Sequence, residues 1–188
     1  MIDLRKGDCL AVMKTIKSGS VDSVICDPPY GTTSCKWDSV LDFDLMWEQL
    51  NRIIRMSNIK NYKYDWKWEK PNGVNFAQCN HMPMSVYEDI IVFGNFGMAK
   101  NAKIQPTYNP QGVEKVYIKK KAKTNCEHRP NRNNKDHVQE YKNYPRQILR
   151  FKRERGKHPT QKPILLMEYL IKTYTNENET VLDFTMGS

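Results

Sequence analysis

Short apolar runs alternate with amphipathic stretches along this chain of 188 residues. Residues 2–5 read as a brief strand ending at Gly7-Asp8, and Cys9 to Ile16 as a helix with Leu10, Met13 and Ile16 on one face. Val21 to Cys26 is an apolar run of strand length. Residues 31–40 form a polar loop, and Phe43 to Ile54 a helix whose Leu45, Trp47, Leu50 and Ile54 predict one partly buried face. Tyr62, Tyr64, Trp66 and Trp68 alternate with Lys63, Asp65 and Lys67, which is the period of a half-buried strand. The tryptophans there read as sheet packing rather than as a stacking platform. Tyr87 to Phe93 predicts another strand, with Glu88-Asp89 as no more than a solvated end. An amphipathic segment from Ile164 to Tyr174 precedes the apolar strand Thr180–Phe184, which breaks into the small-residue turn Thr185-Met186-Gly187-Ser188. A strand ending in a Gly/Ser loop is how open α/β folds hold nucleotide-like cofactors.

The run Val24-Ile25-Cys26 ends abruptly in Asp27-Pro28-Pro29-Tyr30. The two prolines fix φ and remove two backbone donors, so the chain must leave the sheet in a stiff, extended turn. That turn presents a carboxylate, carbonyls at residues without N–H groups, and an aromatic face. An exocyclic amine on a nucleobase wants two acceptors for its N–H bonds and a ring against its π-face. An ordinary strand-to-loop turn would carry the same residues, and the turn alone does not decide between the two.

A second signal lies far downstream. His158-Pro159-Thr160-Gln161-Lys162-Pro163 runs into the amphipathic segment, and Asp183-Phe184-Thr185-Met186-Gly187-Ser188 follows the last strand. With these residues the chain resembles the β-class amino-methyltransferases of DNA, the S-adenosylmethionine (SAM)-dependent N6-adenine/N4-cytosine enzymes. That family has the Asp-Pro-Pro-Tyr turn first, the His-Pro-Thr-Gln-Lys-Pro segment next and the Asp-Phe-x-x-Gly-Ser loop last. The resemblance covers most of residues 2–188. It implies an α/β, Rossmann-like methyltransferase fold in circularly permuted order. It also implies a catalytic role for Asp27, Pro28, Pro29 and Tyr30. Cofactor contacts would come from Asp8 and Cys9 near the adenine edge, from His158 and Lys162, and from Asp183, Phe184, Gly187 and Ser188. Lys162 would meet the SAM carboxylate and Asp183 the ammonium. An Asp at position 27 fits adenine N6 better than cytosine N4.

The charge sharpens the picture once it is located. The net charge is +9, yet residues 100–157 hold 17 Lys and Arg against 5 Asp and Glu. Tyrosines and Asn-rich turns are interleaved with those charges. Lys and Arg neutralise phosphates, while Asn, Gln and Arg reach base edges. Lys119, Lys120, Lys121, Arg129 and Arg132 are therefore candidate DNA contacts; a merely solvated basic face is the alternative. The implied organisation is a catalytic half over residues 1–99, a basic target-recognition insert over 100–157, and a cofactor-binding segment over 158–188. Five cysteines, odd in number and without a C-x-x-C pair, read as free thiols with no zinc site; Cys126 and His128 in a polar loop carry no metal signature. No apolar run approaches the ~20 residues of a membrane span, and the first residues do not read as a signal peptide. A cytoplasmic enzyme acting on double-stranded DNA follows, with room for a homodimer and a cognate restriction enzyme.

Relatives in the family usually continue past the glycine loop into a helix and strand, and place an extra strand and helix near Ile54–Ser57. The resemblance therefore implies a fold that is incomplete in both places, weak SAM binding, and little or no methyl transfer by these residues alone. The second reading is an impaired phage or bacterial remnant acting only as a DNA-binding module. Methylation of RNA or of a protein glutamine uses similar turns, but the long basic insert favours DNA.

Overall fold

A computed structural model describes residues 1–31, 38–122, 135–154 and 161–186. Its elements are α1 (Cys9–Thr15), β1 (Ser23–Val24), α2 (Phe43–Ile53), β2 (Tyr62–Val74), β3 (Ser85–Phe93), β4 (Glu114–Lys120), β5 (His137–Lys142), β6 (Ile148–Leu149), α3 (Ile164–Tyr174) and β7 (Val181–Leu182). They form two compact units, Met1–Asn109 with Gln147–Ser188, and Pro110–Arg146.

In the first unit, α1 begins where the Asp8 carboxylate accepts the Ala11 N–H at 2.8 Å. Asp42 does the same for α2, accepting from Asp44 and Leu45. Each cap satisfies donors that the first helical turn leaves open. Arg52, near the end of α2, donates to the carbonyls of Met13 (2.6 Å) and Ile16 (2.8 Å), where the α1 dipole is negative. The two helices share a core of Met13, Val21, Met46, Leu50, Ile53 and Ile59.

β1 pairs with β7 in parallel, Ser23 opposite Val181 and Val24 opposite Leu182. Asp22 reinforces the entry by accepting the Thr180 N–H at 2.8 Å. A second sheet has the order β3-β2-β6, antiparallel between β2 and β3 and parallel between β2 and β6. Its core, Trp66, Trp68 and Leu149, closes on Leu166 and Leu170 of α3. Both indoles find acceptors, Trp66 on the Tyr174 hydroxyl and Trp68 on the Phe151 carbonyl at 2.9 Å. Val24 packs on the first core and Ile25 on the second. β1 therefore runs between two apolar layers, as a strand of a parallel α/β sheet does.

The second unit is a ribbon of β4 and β5, antiparallel and tied at its base by the Glu114–Lys142 ion pair at 2.9 Å. One extra residue between Lys115 and Ile118 bulges β4. Almost every side chain of the ribbon is open to solvent.

Several expectations are corrected. Residues 2–5 form no strand: Ile2 and Leu4 are exposed, and no neighbouring edge takes up their backbone groups. The strand expected over Val21–Cys26 is regular only at Ser23–Val24, with an isolated bridge from Val21 to Ile54. Of the face expected on α2, Leu50 is buried and Trp47 and Ile54 pack partly buried on the first core as expected, whereas Leu45 is exposed and Met46, Gln49 and Ile53 are buried as well. Glu88 and Asp89 lie within β3 rather than at a solvated end, and each carboxylate holds a lysine. The tryptophans pack in the core, as the alternation implied.

Ile53 is fully buried at the α1–α2 junction. Ile53→Ala leaves a cavity that its rigid neighbours fill only in part, a loss of ~2–5 kcal/mol. The urea midpoint should fall accordingly with an unchanged slope, and a midpoint within error of the parent would show that the junction collapses freely.

Candidate active site

Asp27 stands just beyond β1 and Asp183 just beyond β7, at the carboxyl ends of two paired parallel strands. That edge is where open α/β sheets gather ligands. Thr185 ties the two together. Its Oγ1 accepts the Asp27 N–H at 3.0 Å and lies 3.3 Å from Asp183 Oδ1, which also accepts the Thr185 N–H at 2.9 Å.

Both oxygens of Asp27 are engaged. The Tyr30 hydroxyl donates to Oδ1 at 2.6 Å, and the Lys162 ammonium lies 2.7 Å from Oδ2. Lys162 also reaches Glu88 Oε2 at 3.3 Å, while Lys70 holds the other Glu88 oxygen. Burial pulls the Lys162 ammonium down, but the hydrogen bond and charge of Asp27, with Glu88 adding, outweigh it and hold the group above its ordinary value. Burial, with the hydrogen bond to Asp27 and its charge, pushes the Tyr30 phenol well up, so Tyr30 stays a donor. Its residue surface nonetheless remains 60% exposed.

The turn leaves Tyr30 through Gly31, whose φ is 66° and whose N–H is held by Asp38 Oδ1 at 2.8 Å. A Cβ there would come within 2.6 Å of Val40 Cγ2, so only glycine fits. The Cys26 thiol is pushed up to about 12, by burial first and then by Asp183, Asp27 and Cys9. Such a thiol stays protonated and is no nucleophile. Asp183 is raised too, by desolvation first and by Asp27 in part, against the Thr185 hydrogen bonds, although the residue still reaches solvent.

Of the remaining sequence candidates, Asp8 is spent in part on capping α1, Cys9 opens that helix, and Phe184 packs on the first core. Lys162 is drawn to Asp27 and Glu88. Lys119 and Lys120 are exposed on β4, with Lys121 just after it. His158, Gly187, Ser188, Arg129 and Arg132 lie outside the described residues, as do Cys126 and His128. Sequence reasoning missed Glu88, Thr185, Gly31 and Asp38. For Gly31 a signal was available, since glycine directly after a Pro-Pro-aromatic turn marks a backbone reversal. Thr185 and Glu88 become visible only when distant strands meet.

The DNA methylase family (N6_N4_Mtase) matches residues 21–188. The chain belongs to this family. Its members are SAM-dependent DNA methyltransferases. The methylase is 26% identical over 211 residues to the type II methyltransferase M2.LlaDCHI of Lactococcus lactis subsp. cremoris, over 96% of this chain and 75% of that relative. In fold it is similar to M1.HpyAVI, solved as a SAM complex and alone. Against the complex the TM-score is 0.52 at 20% identity, over 97% of this chain and 82% of that one. Against M1.HpyAVI alone the TM-score is 0.52 at 18% identity, over 97% and 80%. Among the described residues no helix of the methylase is long and apolar enough to cross a membrane.

The raised Asp183 carboxyl carries a pH signature. A folded-state value above the ordinary 3.8 means that the folded chain binds this proton more readily than the unfolded chain. The ionised group therefore costs stability above that range, and the cost disappears once both states are protonated. Asp183→Asn should melt higher than the parent at pH 7, with the difference shrinking as pH falls toward 3.8. Melting curves across that range check it; a lower melting temperature at pH 7 would mean that the Thr185 hydrogen bonds outweigh desolvation.

Proposed function

We propose that this methylase transfers a methyl group from SAM to the exocyclic N6 of adenine in double-stranded DNA, with the target base turned out of the helix. The supporting observation is the junction at Thr185, which joins the Asp27 turn to the Asp183 turn across one strand pair. An amine-accepting carboxylate and a cofactor loop then face one another at a single sheet edge.

The donor set suits the cofactor. SAM carries a sulfonium and an ammonium, and the described site brings two carboxylates, Asp27 and Asp183, together at one strand edge through Thr185. Asp183 would hold the ammonium, and Cys9 and Phe184 would border the rest. Bound there, SAM supplies an electrophilic methyl group. The geometry gives Lys162 to the Asp27 side, which leaves the SAM carboxylate to other groups.

The chain's own residues do the rest by positioning. Turning a base out costs a few kcal/mol, offset by stacking on Tyr30. Each carboxylate oxygen offers two lone-pair sites, so Asp27 can accept an amine N–H besides its bonds to Tyr30 and Lys162. The Pro28 carbonyl would take the second amine hydrogen. Holding both hydrogens aims the nitrogen lone pair at the methyl group, and such orientation is worth ~7–11 kcal/mol in favourable cases. Asp27 also faces the positive charge that grows on the nitrogen. Asp27→Ala should lower methyl transfer to unmethylated DNA by ~100-fold or more at a temperature where circular dichroism shows the variant folded. Near-parental turnover would overturn the assignment.

DNA contact falls to the basic insert, and the ribbon suits it, since a two-stranded ribbon is of a size that the major groove admits. Alternation along β4 sends Lys119 and Lys120 to opposite faces. Lys120 pairs across to His137 and shares its face with Gln139, whereas the face of Lys119 carries Glu140. The Lys120 face is the one for DNA. Lys120→Ala should flatten the log–log salt dependence of DNA binding by ~0.9, and Lys119→Ala much less. Equal or absent changes would mean that the ribbon is only a solvated face.

A further inference from the structure

Among the described residues Glu88, on β3, is joined to the Asp27 turn through Lys162, and nothing in the reaction as described above uses it. Its Oε1 holds Lys70 and its Oε2 lies 3.3 Å from Lys162, whose ammonium is 2.7 Å from Asp27 Oδ2. A line of alternating charge thus runs from β2 and β3 through Lys162 to Asp27, and on through the Tyr30 hydroxyl. The side chains of Lys70, Lys162, Asp27 and Glu88 are 16%, 23%, 34% and 36% exposed, so solvent screens these contacts only in part.

The arrangement resolves a conflict. An ammonium on Asp27 fixes the carboxylate, which helps a base whose target must be met in one geometry. The same positive charge weakens Asp27 as an acceptor just where the attacking nitrogen becomes cationic. A second carboxylate on the same ammonium cancels that penalty and keeps the fixation.

We propose that Glu88 is a positioning residue for methyl transfer: it seats and neutralises the Lys162 ammonium, so that Asp27 keeps both its orientation and its strength as acceptor for the target amine. This rests on the reading of Asp27 as that acceptor. Lys162 thereby serves the target-base side of the site. The charged and titratable groups facing Asp27 among the described residues are Lys162, Glu88, Tyr30, Asp183 and Cys26. Of these only Lys162 is a cation, and Glu88 is its second seat.

The test is single-turnover methylation of unmethylated DNA by the full chain with SAM, beside SAM binding by isothermal titration. Glu88→Gln keeps the shape and removes the charge; it should lose ~10-fold in rate and Glu88→Asp recover most of it, while the SAM dissociation constant stays within about twofold. If Glu88 acts through the Lys162 ammonium, Glu88→Gln should cost much less in a Lys162→Gln background than in the parent. Glu88→Gln methylating at the parental rate, or losing the same factor in both backgrounds, overturns the proposal. If Glu88→Gln does not fold, Glu88→Asp takes its place in the cycle, and an effect independent of Lys162→Gln overturns it. Full methylation by Asp27→Ala would instead remove the catalytic reading of Asp27, and the cycle would still report whether Glu88 and Lys162 are coupled.

Discussion

The parallel pairing of β1 with β7 is the constraint on which the rest depends. It joins segments 158 residues apart, and short as it is, it brings the Asp27 turn and the Asp183 turn together. Its register is protected by packing on both faces. A slip of one residue would exchange Val24 and Ile25 between two different cores and turn each strand's side chains over. The same slip would carry Asp27 away from Thr185, so the register that buries the apolar residues also sets the Asp27 turn beside the Asp183 turn.

What that register assembles is a cluster that no stable fold would choose for itself. Asp183 is held above its ordinary range, and Cys26 and Tyr30 are pushed up beside Asp27. Perturbed groups gathered at one strand edge mark it as a candidate site. Beneath them the backbone ladder is interrupted: β1 and β7 share no strand pairing with β3-β2-β6 among the described residues. Two things bridge the gap, the packing of Ile25 on the second core and the ionic line from Glu88 through Lys162 to Asp27. A line of charge that does structural work across a gap in a sheet also sets the electrostatics of the group it ends on.

Local signals in the sequence carried a good part of this. Alternation around Trp66 and Trp68 and the helical spacing of 9–16, 43–54 and 164–174 are short-range properties, and the elements formed where these fell. Long-range pairing did not announce itself. Residues 2–5 have the composition of a strand but pair with none among the described residues, and Leu45, grouped with Trp47, Leu50 and Ile54, faces solvent while those three pack inward. The site follows the same division. Asp27 and Tyr30 were legible because a Pro-Pro turn is stiff whatever surrounds it. Glu88 was not, since a carboxylate inside an apolar strand looks like a frayed end until its two lysines arrive from β2 and from the segment before α3.

The Tyr30–Asp27 hydrogen bond then says how the turn meets a base. A phenol with a raised pKa keeps its proton, so the hydroxyl goes on donating to Asp27 Oδ1. The bond tethers the far end of the ring, and the stiff backbone of Pro28 and Pro29 fixes the near end. A ring held at both ends offers its face with little rotameric entropy left to lose. The tether does occupy lone-pair capacity on Asp27, as Lys162 does on the other oxygen. On the proposed reading an incoming amine would meet an acceptor with capacity remaining but with its plane already fixed, and the turn would give up some acceptor strength to gain a single direction of approach.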